Sequence, residues 1–398
     1  MSEVELRVSR ECKAMMIGEV IEKAVEGKIS WVQAADILGV SARHIRRLRH
    51  RYEHLGLPGL RDRRGVWCRP RRVAPEVVDE ICRLKRQLYP DFSVRHFHEF
   101  ITERHRIQAS YTFVKDVLQM HGLVERAKAR GKYRRKRERR PMVGMLLHLD
   151  ASTHEWIRGL PMRDLVVMLD DADGRILYAR FVEQEGTQST LHALRHVLRH
   201  FGRFCELYTD RGSHFCHTSR VGEGPDEEQT GQVTRVLRAL GIRHILARSP
   251  EARGRSERAF GTIQGRLPQE LRAAKIGTYQ GANRYLDDVF VRDFNRRFTV
   301  APAQPERAFS LLTGVDLELL LTVQHERIVR NDNTVVFGKL QLQLPRTALR
   351  THYARCPVTV HQFLDGRTLG VTFQGVLIAK FGTDGTRNRK ASKMEVAA

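Results

Sequence analysis

Met145-Leu146-Leu147-His148-Leu149-Asp150 is an apolar run that ends on a carboxylate, and Leu207-Tyr208-Thr209-Asp210-Arg211-Gly212-Ser213 repeats that arrangement further along the chain. An unpaired charge at the end of a buried strand is costly, so both aspartates read as placed for a purpose. A third acid, Glu257, stands in Ser249-Pro250-Glu251-Ala252-Arg253-Gly254-Arg255-Ser256-Glu257-Arg258. That segment reads as a loop entering a basic helix, and Glu251 is the main rival to Glu257. Two strand-end aspartates and a helix-borne glutamate form an oxygen-only anionic cage suited to hard divalent cations such as Mg²⁺. Paired metals held in this way drive in-line displacement at phosphorus.

Outward from these acids, the texture is alternating strand and helix. Strands are expected at 143–150, 165–169, 175–182, 206–209 and 242–247, with helices at 187–200, 230–240 and 253–271. Asp171-Ala172-Asp173-Gly174 joins the second strand to the third as a hairpin. Asp170, Asp171 and Asp173 are therefore expected to be solvated turn acids. His148 shares a strand face with Asp150, so it is either a neighbour of the cage or a satisfied core histidine. Three antiparallel strands followed by helix, strand, helix, strand, helix is the order of an RNase H-like fold.

The N-terminal third is helical. Ser30 with Gln33 three residues on is a capping box, Gly39-Val40 makes a turn, and Ser41 caps a second helix. That helix carries Arg43, His44, Arg46, Arg47, Arg49 and Arg51, with Ile45 and Leu48 facing the core, which matches a helix-turn-helix set for the major groove. Ordinary packing would leave a merely solvated basic face. A second helical unit follows, with an amphipathic stretch at 74–88 and helices capped by Ser93 and Ser110. Residues 126–140 hold ten Lys or Arg against one acid, Glu138, and read as an extended linker whose Lys132, Arg134, Arg135, Lys136 and Arg137 clamp phosphate. Around the acids, Arg211, His214, Arg253, Arg255 and Arg258 are candidate phosphate contacts.

Composition agrees with a polyanionic partner. The 398 residues carry 69 Lys plus Arg against 46 Asp plus Glu, a formal charge of +23, which favours nucleic acid through counterion release. No apolar run is long enough to span a bilayer, and the N-terminus lacks the apolar core of a signal peptide, so a cytoplasmic protein close to the bacterial nucleoid is expected. The six cysteines show no C-x-x-C spacing and read as free thiols. His214-Phe215-Cys216-His217 lacks a second ligand cluster for zinc.

The core motifs, Leu-His-Leu-Asp at 147–150, Tyr-Thr-Asp-Arg-Gly-Ser at 208–213 and Gly-Arg-Ser-Glu-Arg at 254–258, resemble those of the retroviral-integrase superfamily of transposases. Within it they are most similar to insertion-sequence transposases of the ISNCY type, and more distantly to phage Mu transposase. The likeness covers roughly residues 15 to 385. It implies that the first and fourth strands lie side by side and that Asp150, Asp210 and Glu257 bind two Mg²⁺ or Mn²⁺ ions, with Asp150 bridging them. It also implies nicking at transposon ends, strand transfer of the freed 3′-OH into target DNA, and a homo-oligomer that pairs two ends. The 46 residues between Asp210 and Glu257 exceed the compact interval of retroviral integrases. The excess is assigned to a Gly/Pro/acidic insertion at 220–228.

The expected organisation is a multidomain α/β protein: helix-turn-helix domain 1–60, second helical DNA-binding domain 70–125, basic linker 126–140, RNase H-like integrase core 141–275, helical connector 276–325, small C-terminal β-barrel 326–385 and basic tail 386–398. Two other classes compete. A sequence-specific DNA-binding regulator with a dead integrase fold is opposed by the three intact acids. An RNase H-like nuclease without strand transfer is disfavoured by the two N-terminal recognition modules.

Overall fold

The computed structural model describes residues 3–60, 73–125, 138–212, 215, 231–247 and 254–387. The chain divides into two compact units, Met1–Val78 and Asp79–Ala398.

The first unit holds α1 (Glu3–Val25), α2 (Trp31–Ile37) and α3 (Ala42–Leu55). Both halves of the capping box form: Gln33 N donates to Ser30 Oγ and Ser30 N donates to Gln33 Oε1. Gly39 turns the chain at φ +61°, a conformation glycine adopts without strain. Ser41 then accepts from His44 N at 3.3 Å. Ile45 and Leu48 of α3 pack with Ile21, Ala24, Ala34, Ala35 and Leu60, and Tyr52 Oη donates to Glu22 at 2.6 Å to tie α3 to α1. Ser41→Ala removes the acceptor for the first turn of α3, and a loss of about 1 kcal/mol is expected, read as an earlier first transition in thermal unfolding.

α4 (Pro75–Gln87) begins within the first unit and runs into the second, which continues with α5 (Val94–Arg104) and α6 (Tyr111–Met120), capped by Ser93 and Ser110. This module is not free-standing. Its fully buried His96 places Nε2 3.1 Å from Glu270 of the core, and Glu99 pairs with Arg266 at 2.8 Å. Burial outweighs the Glu270 carboxylate and holds His96 below the ordinary histidine value, so the ring is neutral and donates.

The core sheet runs in the order β3-β2-β1-β4-β5, built from β1 (Leu146–His154), β2 (Arg163–Asp170), β3 (Ile176–Val182), β4 (Glu206–Thr209) and β5 (Arg243–Leu246). β1, β2 and β3 are antiparallel; β4 joins β1 in parallel and β5 joins β4 in parallel. The expected adjacency of the first and fourth strands is therefore present. Alternation divides the apolar side chains between two faces. Leu147, Leu149, Val166 and Met168 pack under α7 (Thr187–His200) and α8 (Gln232–Ala239). Leu165, Val167, Leu169 and Phe181 pack under α9 (Gly254–Gln264), α10 (Leu267–Ala273), α11 (Tyr279–Tyr285) and α12 (Val291–Phe298). A π-helical turn, Leu286–Phe290, joins α11 to α12. Asn283 and Asn295 use both amide atoms to bond the backbone of Phe181 and Ile176, which satisfies groups on the outer edge of β3 that would otherwise invite another strand.

Several expectations need correction. β1 continues to His154, so Asp150 lies within the strand and not at its end. The helix expected over 253–271 is two, broken around Gly265, with Pro268 in the first turn of α10. Pro305-Glu306-Arg307-Ala308-Phe309 reads from sequence as the start of a short helix, and that helix does not form. Arg307 bridges Val143 instead, and Ser310 bridges Arg203. That second contact requires Gly202, whose φ is +101° and where a Cβ would stand 2.5 Å from the Ser310 carbonyl oxygen.

Beyond Glu326 the sequence reads as five strands, the first over 327–337; after α13 (Leu317–Leu320) come six: β6 (Val323–Ile328), β7 (Thr334–Phe337), β8 (Leu340–Gln343), β9 (Pro357–Gln362), β10 (Thr368–Phe373) and β11 (Val376–Gly382). They form a four-stranded sheet, β11-β10-β9-β6, and a separate β7-β8 hairpin over one apolar core, rather than a single closed barrel. Asp332 accepts from Thr334 N and Oγ1, making the turn that splits the first expected strand in two.

Candidate active site

Asp150, Asp210 and Glu257 line one cleft of about 260 Å³ together with Ala151, Ser152 and Phe260. Each carboxylate arrives on a different element. In the β1–β4 register His148 stands beside Tyr208; carried two residues on, that register brings Asp150 level with Asp210. Asp150 pairs across β2 with Val167, whose side chain belongs to the face covered by α9. Glu257 sits in the first turn of α9, where a carboxylate also suits the positive end of the helix. Gln264 Nε2 donates to Ser152 Oγ at 2.7 Å, tying α9 to β1 beside the acids. The turn after β4 is fixed by Asp210 Oδ1, which accepts from Gly212 N at 2.8 Å.

The donor set is oxygen-only, and its chemistry fits a hard divalent cation. Among the described residues no three His, Cys, Asp or Glu side chains form a closed metal site.

His244, on β5, escaped the sequence reading. Its Nε2 lies 2.9 Å from Thr209 Oγ1 and its Nδ1 3.2 Å from Thr234 Oγ1, and Thr209 Oγ1 also bonds the Asp210 carbonyl. The ring thus braces the residue before Asp210. Only its place on a strand beside the second motif could have signalled it. Burial pushes His244 down to about 4, and burial followed by Arg235 does the same to His361. An unfolded histidine protonates near pH 6.5, so both favour the fold above that pH, and their contribution is lost as pH falls from about 6.5 towards 4. The unfolding temperature is expected to drop across that window, and to drop less steeply in His244→Gln, in pH-stepped thermal scans.

The hairpin acids are the clearest misreading. Asp170, Asp171 and Asp173 are each at most 1% exposed. Asp170 accepts from Gly144 N and Ala172 N, Asp171 from Arg140 N and His148 Nε2, and Asp173 from Arg175 N and Nε. Burial outweighs the backbone donors at Asp170 and pushes its carboxyl up to about 6. His148 is therefore a buried partner of Asp171, and it does not line the carboxylate cleft.

Of the proposed DNA contacts, Arg43, His44, Arg46 and Arg47 are exposed on α3 beside the capping Ser41. Arg46 Nε donates to the Ala42 carbonyl. Arg49 is engaged within its own unit, pairing with Glu53 at 2.6 Å and lying over the Trp31 ring at 4.9 Å, and Arg51 is half-buried. Arg211 is exposed beside the Asp210 turn, and Arg258 is exposed on α9 next to Glu257. Lys132, Arg134, Arg135, Lys136, Arg137, His214, Glu251 and Arg253 fall outside the described residues, as do the 220–228 insertion, Cys216 and His217, most of the basic tail, and the side chain of Arg255. Cys12, Cys82, Cys205 and Cys356 are free thiols. No helix among the described residues is long and apolar enough to cross a membrane.

Two family models match the N-terminal region: a helix-turn-helix domain over residues 18–67 and a homeodomain-like domain over residues 44–118. A putative transposase of Sinorhizobium fredii is 29% identical over 361 residues, spanning 90% of this chain and 78% of that one. The transposase for insertion sequence IS1202 of Streptococcus pneumoniae is 27% identical over 318 residues, spanning 70% of this chain and 67% of that one. The HTLV-2 integrase catalytic core domain, solved in complex with magnesium, matches at 16% identity with a TM-score of 0.28, over 37% of this chain and 90% of that chain. The chain is thus similar to transposases over most of its length, with helix-turn-helix models at its start and an RNase H-like strand order behind its acids.

Proposed function

We propose that the protein is a DNA transposase that nicks transposon ends and transfers the freed 3′-OH into target DNA, using Asp150, Asp210 and Glu257. The observation that carries this reading is the meeting of the three acids in one cleft from three separate elements. Asp150 and Asp210 would hold the cations from adjacent strands and Glu257 from α9. Two Mg²⁺ or Mn²⁺ ions bound there supply Lewis-acid activation of the attacking hydroxyl and neutralise charge at the leaving oxygen. One cleft serves both steps, because water and a DNA 3′-OH are the same kind of nucleophile. Exposed Arg211 and Arg258 flank the acids and suit backbone phosphate, while α3 suits the major groove. Pairing two transposon ends calls for a homo-oligomer.

The test is a strand-transfer assay with Mg²⁺ or Mn²⁺, the DNA ends that flank the gene and a plasmid target, run beside Glu257→Gln. Joined products that vanish in the variant are the expected result. Specific end binding with no metal-dependent cleavage would overturn the reading in favour of a regulator, and nicking without joining, with paired ends supplied, would favour a nuclease.

A further inference from the structure

The helix that carries Glu257 has little of its own to hold it in place. α9 is 11 residues long, and a helix that short is marginal in water by itself. Gly261 stands in its middle and Gly265 just past its end, and a mid-helix glycine weakens it further. Packing does not call for Gly261, since a Cβ there would meet nothing within 4 Å. Arg258 Nε and Thr262 Oγ1 bond carbonyls of α9 itself, so they do not fix its seat.

Contacts with the sheet therefore decide where α9 lies. Phe260 and Ile263 are buried in one cluster with Leu165 and Val167. Apolar contacts of that kind are non-directional and tolerate a slide or a small rotation. The bond between Gln264 Nε2 and Ser152 Oγ, at 2.7 Å, does not. A hydroxyl both donates and accepts, so the two groups can bond with the amide turned either way. Each end of this bond stands near one of the acids. Ser152 is two residues from Asp150 on the same face of β1, and lines the carboxylate cleft with it. Gln264 lies seven residues after Glu257 on α9, two turns or about 10 Å along nearly the same face. Strand and helix are thus pinned together while each presents a carboxylate to the cleft.

We propose that Ser152 and Gln264 are positioning residues for divalent-cation binding in the cleft. Their bond fixes the rotation and height of α9 on β1, and with them the reach of Glu257 towards Asp150. Neither side chain needs to touch a cation. Groups that orient metal ligands from behind change affinity about tenfold or more when they are removed. The inference rests on the reading of the three acids as cation ligands, and adds what keeps the helix-borne one in register.

The experiment uses full-length protein without DNA, and follows Mn²⁺ binding through the electron paramagnetic resonance signal of the free ion. The difference between wild type and Asp150→Asn defines the binding that belongs to the cleft. Ser152→Ala and Gln264→Leu should each raise the half-saturating Mn²⁺ about tenfold. The double variant should rise no further, because both changes break the same bond. Ser152→Thr keeps the hydroxyl on a strand that accepts β-branched residues, and should bind Mn²⁺ as wild type does. Thermal unfolding in metal-free buffer, run on the same proteins, separates position from stability. Single variants that bind Mn²⁺ as tightly as wild type, even if they unfold earlier, would show a structural tie only and overturn the proposal. Additive shifts in the double variant would overturn it too. Wild-type protein that holds no more Mn²⁺ than Asp150→Asn overturns the cation reading instead, and this role with it.

Discussion

Asp150→Asn is expected to leave end binding intact while lowering metal-dependent nicking on the order of a thousandfold, the scale seen when a preorganised electrostatic contact to a transition state is removed. The substitution keeps the size of the side chain and the β1–β2 pairing at Val167, so the fold has no reason to change. What it removes is one negative charge from a cleft whose purpose, on the proposed reading, is to offset the dehydration of divalent cations. Asp210→Asn should behave alike, since Asn can still accept from Gly212 N as Asp210 Oδ1 does. Combining the two should cost little more than either alone, because residues that act as one unit are not additive. Single-turnover nicking of an end duplex, with affinity measured on the same DNA, separates these outcomes. An Asp150→Asn protein that nicks at the wild-type rate would remove Asp150 from the site.

The strands of the core were legible because each is a nearly continuous apolar run bounded by turn residues, while their adjacency came from the family resemblance; the N-terminal helices carry their own caps at Ser41, Ser93 and Ser110. Asp150 and Asp210 stood out because they close two of those runs, and Glu257 because it opens a basic helix; the cleft brings all three together. The hairpin acids were not legible. Asp171-Ala172-Asp173-Gly174 has the composition of a solvent-facing turn, and nothing local says that it is covered. Its cover comes from elsewhere in the chain: Arg139 donates to the Asp171 and Ala172 carbonyls, Arg140 N to Asp171, Gly144 N to Asp170, and Val300 N to the Asp173 carbonyl. The segment at 305–309 was misjudged for the same reason, since its bridges to Val143 and Arg203 are long-range. Local propensity is a weak prior where distant backbone competes for the same hydrogen bonds. His244 and the dry face of His148 likewise depend on partners that spacing does not reveal.

The docking of the second helical module onto the core is the other feature no motif announced, and it yields the second large effect. Glu270→Ala is expected to destabilise the second unit by roughly 3 kcal/mol, the scale for breaking a buried charged contact by removing one partner. Glu270 is 4% exposed, and it accepts from two groups at once: His96 Nε2 at 3.1 Å and Tyr285 Oη at 3.0 Å. Removing it strands a donor on α5 and another on α11 in a dry interface, and burial already holds the neutral forms of both partners in place. Glu270→Gln keeps an acceptor and should cost less. For a unit of this size the alanine variant should unfold about 5 °C earlier; an unchanged midpoint would show that the contact carries no stability. The consequence reaches the chemistry, because Arg266 pairs with Glu99 of the module and also backs the Phe298 ring beside the active-site helix. Loosening the module should therefore blur the position of the cut before it weakens DNA binding. Sequencing the nicked strand in Glu270→Ala should show cleavage spread over neighbouring phosphates. A single sharp cut at the wild-type position would mean that the module's seat on the core does not set the register of cleavage.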